Sequence, residues 1–274
     1  MFNTPTIKSR DNAKLKFVRR VRDGQDPDHI FIEGYRLCGE AFDSRLSIVS
    51  CFLSESFRES RSFDTFEPIL SSRHVESYVV SESLLGSIAD TKSPQGIVLI
   101  AARPVPAPLI DLFSGGNIDG RLPVWLYLYK VNNPSNLGAV LRTAEAAGTR
   151  AVLISPSSAD AFSPKSLRAS MGSAFRMPMV SDIAFENLFS TAQQEEIDIV
   201  AVDAQGSVSY TDVDWKRPSL LVFGSEAEGL PADALYRARV TIKIPMYGDV
   251  ESLNLAVSTG IILFEAKRRN EVKG

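Results

Sequence analysis

Apolar positions along the chain alternate between short, nearly unbroken runs and longer stripes at helical spacing. Residues 11–22 carry Leu15, Val18 and Val21 at helical spacing with basic residues between them, which predicts a short amphipathic helix. D-G-Q-D-P-D, Asp23 to Asp28, reads as a turn. His29 to Phe42 predicts a short strand, a glycine turn at Gly34 and a helix, and Ser47 to Leu53 predicts a strand. Ser77 to Ala89 predicts a strand entering a helix capped by Ser81 or Ser83, and Ser93 to Ala102 a buried strand. Residues 1–102 therefore read as one small mixed α/β unit.

The next stretch, Arg103 to Pro108, is R-P-V-P-A-P, an extended linker. A helical turn at Leu109 to Phe113 and a loop at Ser114 to Pro123 complete a boundary region over 103–122. Beyond it the pattern alternates regularly. Strands are expected at 124–131, 151–154, 175–180, 198–202, 219–223 and 240–244. Helices are expected at 136–147, 163–171, 185–196, 231–236 and 253–269. Such alternation argues for a parallel sheet covered by helices over residues 123–274.

Composition and charge narrow the chemistry. At 274 residues with 44% hydrophobic and 23% charged residues, the chain is long and apolar enough for two modest domains. The opening M-F-N-T-P-T-I-K-S-R lacks the apolar core of a signal peptide, and no apolar run is long enough to span a bilayer. A cytoplasmic protein is expected. Cys38 and Cys51 have no metal or redox spacing and read as buried reduced thiols. With His29 and His74 as the only histidines, neither a histidine metal site nor a Ser-His-Asp triad is expected. The net charge of −3 does not announce a nucleic-acid binder, but positive charge is gathered locally. Lys8, Arg10, Lys14, Lys16, Arg19, Arg20 and Arg22 face Asp11 alone over residues 8–22, and Lys165, Arg168 and Arg176 form a second acid-free stretch. Such clustering suits phosphate neutralisation, although a charge run is more often a solvated face.

Three polar turns remain, each beside an apolar run. In N-N-P-S-N-L-G-A-V-L-R-T-A-E-A-A-G, Asn132 to Gly148, a helix opens near Ser135 or Asn136 and Gly148 can end it. Asn136 sits at the helix mouth, where free amides hold an anion or a carbonyl, and the long Arg142 side chain can reach back towards it. Taken alone, Asn136 reads as a cap and Arg142 as a surface ion pair. In L-L-V-F-G-S-E-A-E-G-L, Leu220 to Leu230, two glycines bracket a loop that lets backbone approach a flat ligand. This loop is neither a dinucleotide fingerprint nor a nucleophile elbow. In I-P-M-Y-G-D-V-E-S-L-N-L, Ile244 to Leu255, Ser252 can cap the last helix.

In this order and spacing the three segments resemble the motifs of the SpoU (TrmH-like) RNA 2'-O-methyltransferases of the SPOUT superfamily. L-R-A-S-M-G-S-A-F-R-M-P, Leu167 to Pro178, is similar to the segment that connects them. Within residues 1–102, I-F-I-E-G-Y-R-L and S-P-Q-G-I-V-L resemble an L30e-like substrate-binding domain. The resemblance implies an α/β fold: a C-terminal parallel-sheet SPOUT domain with a deep trefoil knot, behind the small N-terminal α/β domain. It implies a homodimer with the active site near the subunit interface, and S-adenosylmethionine held by main-chain groups at Gly224, Ile244, Met246 and Leu253, without a metal. Carry-over of the motifs puts Asn136, Arg142, Glu226, Ser252 and Asn254 at the site of methyl transfer. Lys8, Arg10, Lys14, Lys16, Arg19, Arg20 and Arg168 are the candidates for RNA contact. Asn133 stands where many relatives carry Asp, which keeps the turn and removes a carboxylate from it. Large-subunit (23S) ribosomal RNA is the first substrate expectation. Transfer RNA is the second, and a non-catalytic RNA-binding protein that keeps the fold is the rival from another class.

Overall fold

A computed structural model describes residues 4–113, 122–225 and 227–270. Most of the expected loop at Ser114 to Pro123 therefore lies outside the described residues, and so does Glu226. In chain order the elements begin with β1 (Thr6–Ile7), α1 (Ala13–Arg22), β2 (His29–Glu33), α2 (Tyr35–Asp43) and β3 (Ile48–Ser54). There follow α3 (Glu55–Arg58), α4 (Phe63–Ser72), β4 (Glu76–Val80), α5 (Glu82–Ile88) and β5 (Ile97–Ala102). Next come α6 (Leu109–Phe113), β6 (Val124–Leu128), α7 (Pro134–Ala147), β7 (Val152–Ile154), α8 (Pro164–Ser170) and α9 (Ser173–Arg176). The chain continues with β8 (Met179–Val180), α10 (Phe185–Gln194), β9 (Asp198–Val202) and β10 (Val208–Ser209). It closes with β11 (Ser219–Phe223), α11 (Ala232–Arg237), β12 (Val240–Lys243) and α12 (Leu255–Arg269). These elements form two compact units, residues 1–105 with 161–176, and residues 106–160 with 177–274.

The first unit is built on a mixed sheet of order β1-β4-β3-β5-β2, in which β5 runs antiparallel to both β3 and β2. The expected helix at 11–22 forms as α1, with the Asn12 side chain accepting from the Lys14 amide at 2.9 Å. Its stripe Leu15, Val18 and Val21 is buried against Phe31, Phe52, Tyr78, Val98 and Ile100 of the sheet, together with Leu85 and Ile88 of α5. Ser81 caps α5, one of the two serines expected there. Alternation along the strands sends Ile30, Ile32 and Leu99 to the other face. The rings of Phe42, Phe57 and Phe66 pack together from α2, α3 and α4. Helices α3 and α4 are absent from the sequence expectations; Phe63, Phe66 and Leu70 at helical spacing were the signal, interrupted by Pro68. Cys38 and Cys51 are buried free thiols, and burial pushes both well above the usual thiol range.

Helices α8 and α9 pack with this unit. The expected strand at 175–180 is corrected: Phe175 and Arg176 finish a helical turn, where Arg176 pairs with Glu40, and only Met179–Val180 is a strand. A brief apolar alternation beside a proline does not distinguish a helical turn from a strand.

The second unit carries a seven-stranded, wholly parallel sheet of order β10-β12-β9-β11-β6-β7-β8. Trp125 and Tyr127 of β6, with Leu220 and Val222 of β11, face Phe113 of α6, Leu188 and Phe189 of α10, and Ala234 of α11. The alternate residues Leu126, Leu128 and Leu221 are fully buried on the opposite face. Helices α7 and α12 pack side by side there, burying Leu137, Val140 and Leu141 with Ile262 and Leu263. A Cβ on Gly260 would meet the Thr143 methyl at 3.4 Å, so the two helices approach closely. Strand β6 stops at Leu128 rather than Val131, because Lys130 adopts a left-handed conformation and its amide donates to Ser155 Oγ at 2.7 Å.

Candidate active site

The sheet register decides where the three motifs meet. Phe223 pairs with Leu128 on one side and with Val202 on the other, and Val202 pairs with Ile242. The carboxyl ends of β6, β11, β9 and β12 are therefore level. In open parallel sheets the crevice outside these ends holds ligands. The Tyr129 amide donates to Phe223 O at 2.8 Å, which fixes the start of the first motif against the start of the second.

A cleft of about 250 Å³ opens at these ends. Gly224, Ile244, Met246 and Leu253, the four cofactor candidates, all line it, and Ser252 does as well. A Cβ on Gly224 would lie 2.2 Å from the carbonyl carbon of Gly229 and 2.5 Å from its oxygen, so any side chain there forces the loop apart. The loop is drawn closed by the Gly229 amide on Ser225 O at 3.1 Å and the Glu228 amide on Ser225 Oγ at 3.0 Å. Bare backbone, rather than side chains, thus forms this part of the wall. Among the described residues no group of His, Cys, Asp and Glu is arranged to hold a metal ion.

The helix mouths differ from the sequence expectation. Asn133 caps α7, accepting from the Ser135 and Asn136 amides at 2.9 and 3.4 Å, and Pro134 is the first helical residue, where a missing N–H costs nothing. Asn136 is therefore not the cap. Its side-chain oxygen accepts from Asn254 Nδ2 at 3.0 Å. Asn254 in turn caps α12, accepting from the Ala256 amide at 2.9 Å. Ser252 is exposed and is not the cap either, because the helix starts two residues later than its cap position would require. One amide–amide bond thus ties the mouths of α7 and α12, joining the first motif to the third. Gly148 ends α7 as expected, with φ 79°.

Of the five catalytic candidates the structure joins Asn136 and Asn254 directly and sets Ser252 in the cleft. Arg142 stands apart, exposed on α7, and makes no hydrogen bond or ion pair among the described residues. Glu226 lies outside them.

The basic candidates are less free than the sequence suggests. Lys14 pairs with Glu76 at 2.8 Å, Lys16 with Asp11 at 3.4 Å and Arg20 with Asp26 at 3.9 Å. Arg19 donates to Arg10 O, and Arg168 pairs with Asp90 at 2.5 Å. The Lys14 hydrogen bond holds the Glu76 carboxyl below its usual range. Lys8 and Arg10 are exposed. For Lys14 and Arg168, long-range folding supplies carboxylates that local charge counting cannot see.

Three features are absent from the sequence expectations. Asp203 follows β9 and lines the cleft, and Glu251 lies beside Ser252 on its rim. The signal for Asp203 was an acidic residue directly after an apolar strand. Lys130 and Glu228 approach to 3.8 Å between the first and second motifs.

Residues 123–264 match the sequence model of the SpoU rRNA Methylase family, and residues 7–99 that of an MRM3-like substrate binding domain. The chain belongs to the SpoU rRNA methylase family. Among SpoU relatives, an uncharacterized tRNA/rRNA methyltransferase of Synechocystis is 32% identical over 74% of this chain and 72% of its own length. The 23S rRNA (guanosine(2553)-2'-O)-methyltransferase RlmP of Bacillus subtilis is 27% identical over 95% of this chain and 98% of its own. An AdoMet-bound rRNA methyltransferase from Sinorhizobium meliloti superposes with a TM-score of 0.82 at 29% identity, covering 97% of this chain and 98% of that one. The sequence expectation of a SpoU-type parallel α/β unit behind a small substrate-binding one is borne out.

The capping geometry separates two neighbouring residues. Asn254→Ala should lower stability by about 0.5–2 kcal/mol, the range for a lost N-cap, whereas Ser252→Ala should leave it unchanged. Denaturant unfolding of the two variants measures this; equal effects would contradict the assignment.

Proposed function

We propose that the chain is an S-adenosylmethionine-dependent RNA methyltransferase that acts on a ribose 2'-hydroxyl. The cleft at the carboxyl ends of β9, β11 and β12 carries the reading, because it gathers all four cofactor candidates on a backbone-lined wall. A cofactor fits there on two counts. The close Gly224–Gly229 approach leaves that part of the wall as bare backbone, suited to a flat adenine. Asp203 and Glu251 put carboxylates beside the cleft, suited to a cationic ligand. Main-chain groups at Gly224, Ile244, Met246 and Leu253 would hold it, in a knotted arrangement of the segment between β12 and α12.

When bound, S-adenosylmethionine supplies a methyl group already activated by its sulfonium. What remains for the protein is alignment and charge stabilisation. Asn136 and Asn254 offer amides at the joined helix mouths to orient the ribose. Ser252 adds a hydroxyl from the cleft wall, and Glu226 organises the glycine loop. A guanidinium stays protonated in nearly any site, so Arg142 grips the adjacent phosphate and favours the developing alkoxide rather than acting as a base.

Residues 1–102 and the basic candidates select the RNA, and residues 123–274 carry out the transfer. Large-subunit ribosomal RNA is the favoured substrate, supported by the near full-length likeness to a 23S rRNA methyltransferase. Transfer RNA is the second reading, supported by the tRNA/rRNA description of another relative. The protein is assigned to the cytoplasm as part of the same proposal; among the described residues no helix is long and apolar enough to cross a membrane.

The enzyme works as a homodimer. Val257 and Phe264, about two turns apart along α12, are 50% and 48% exposed, an apolar stripe beside the helix that carries the exposed Arg142. A second copy on this face covers the stripe and brings a partner surface to Arg142.

Three outcomes test this reading. Gly224→Ala should weaken S-adenosylmethionine binding in calorimetry by more than about tenfold, since the loop must open around the new methyl. A wild-type chain that binds none would favour a non-catalytic RNA-binding protein. Arg142→Ala should lower kcat by about 100-fold or more with cofactor affinity retained, the scale of a lost transition-state charge contact; near-normal methylation would remove Arg142 from the mechanism. Phe264→Glu should convert a dimer into a monomer in sedimentation, and a wild-type monomer would overturn the dimer.

A further inference from the structure

A cavity lies within the first unit. It measures about 720 Å³ and is walled by the start of α2, the side of α4, the loop Thr91–Gln95 and residues of α8 and its cap. Phe66 and Ile69 form part of its apolar wall. Tyr35 also lines it, 37% exposed, with its ring edge-on to Phe66 at 5.2 Å.

Several of the polar groups around it are committed. Glu33 accepts from the Asp90 and Thr91 amides and from the Thr91 hydroxyl. Glu40 pairs with Arg176, and Arg168 with Asp90. Gln95 Oε1 accepts from the Tyr35 amide at 2.8 Å, which fixes the backbone that carries the ring. Among the described residues the lining groups without a hydrogen-bond or ion-pair partner are the Arg36 guanidinium, the Asp43 carboxylate, the Gln95 amino group and the hydroxyls of Tyr35, Thr65 and Ser93.

We propose that this cavity holds an unpaired nucleotide of the RNA substrate, an inference that rests on the RNA methyltransferase reading. A nucleotide satisfies each feature at once. Its base has a flat apolar face for the Tyr35 ring, and its edge carries donors for Asp43 and acceptors for Gln95. Its phosphate is the anion for Arg36. An acyl chain or an apolar helix would cover the Tyr35 ring but offers nothing to the exposed Arg36, Asp43 and Gln95 groups. Arg168, singled out by the sequence for RNA contact, lines this cavity, whereas the basic residues of α1 do not. The basic run then supplies diffuse, salt-sensitive attraction, and the cavity supplies the place where one base leaves its stack.

The test uses the full chain and a short single-stranded RNA carrying 2-aminopurine, whose emission reports stacking. Binding to the wild type should change the emission. Tyr35→Ala should weaken RNA binding by about tenfold, the scale of one lost base–aromatic stack, and Tyr35→Phe should retain it. Thr65→Trp, an exposed position on the cavity wall, should weaken binding by filling the space without removing a contact. Thermal unfolding identifies any variant that fails to fold. If the wild type binds RNA and both Tyr35→Ala and Thr65→Trp bind it equally well, the cavity proposal is overturned and the methyltransferase reading stands. Tighter binding of a free nucleoside monophosphate than of the strand would also overturn it. A wild type that binds no RNA would overturn the underlying reading.

Discussion

The parallel register in which Phe223 meets Leu128 on one side and Val202 on the other sets everything at the candidate site. A slip of one residue would exchange the two faces of β11, sending Leu220 and Val222 towards the α7–α12 layer. It would also separate the three motif ends that now lie level. The register is held by burial on both faces, since all five residues of β6 and of β11 are buried. Near-continuous apolar runs of this kind belong to parallel sheets covered by helices. The polar turns that follow these runs are therefore delivered to one edge, without any need for the turns to recognise one another.

Two local devices then finish the site. Gly224 lets the second motif fold against Gly229 so closely that no side chain fits, which turns a loop into a backbone surface. The Asn136–Asn254 bond ties the mouths of α7 and α12, and each mouth has its own cap, Asn133 and Asn254. Asn254 serves both ends of this arrangement: its oxygen caps the helix while its amino group reaches the first motif. Catalysis by such a site relies on alignment. Apart from the exposed Arg142, the described candidates bring amides, a hydroxyl and backbone rather than a strong acid or base.

Much of this was legible in the sequence. The helical stripe of α1, the glycine after β2, and the strands β9 and β11 follow directly from periodicity and turn chemistry. The four cofactor candidates are what the resemblance to the SpoU motifs implies, and they line one cleft. The errors are short-range and physical. Taken alone in sequence Asn136 reads as the α7 cap, whereas Pro134 at the first helical position leaves that role to Asn133, and Ser252 reads as the α12 cap, whereas Asn254 serves. Helices α3 and α4 were hidden by Pro68 and by dense serine. Nothing local to Lys14 or Arg168 reveals that Glu76 and Asp90 arrive from elsewhere in the fold, so the basic run promises more free charge than the structure retains. The cavity beside Tyr35 is equally invisible in sequence, because its walls come from four separated segments.

The account stands or falls on where a methyl group ends up. A 2'-O-methyl removes the hydroxyl that alkali uses to cleave the adjacent phosphodiester. The deciding measurement is incubation of the chain with ribosomal RNA and S-adenosylmethionine labelled in its methyl group, followed by alkaline digestion. The account predicts label in alkali-resistant dinucleotides. Label in mononucleotides would mean methylation of a base, and an unlabelled digest would mean no transfer to that RNA; either would contradict it.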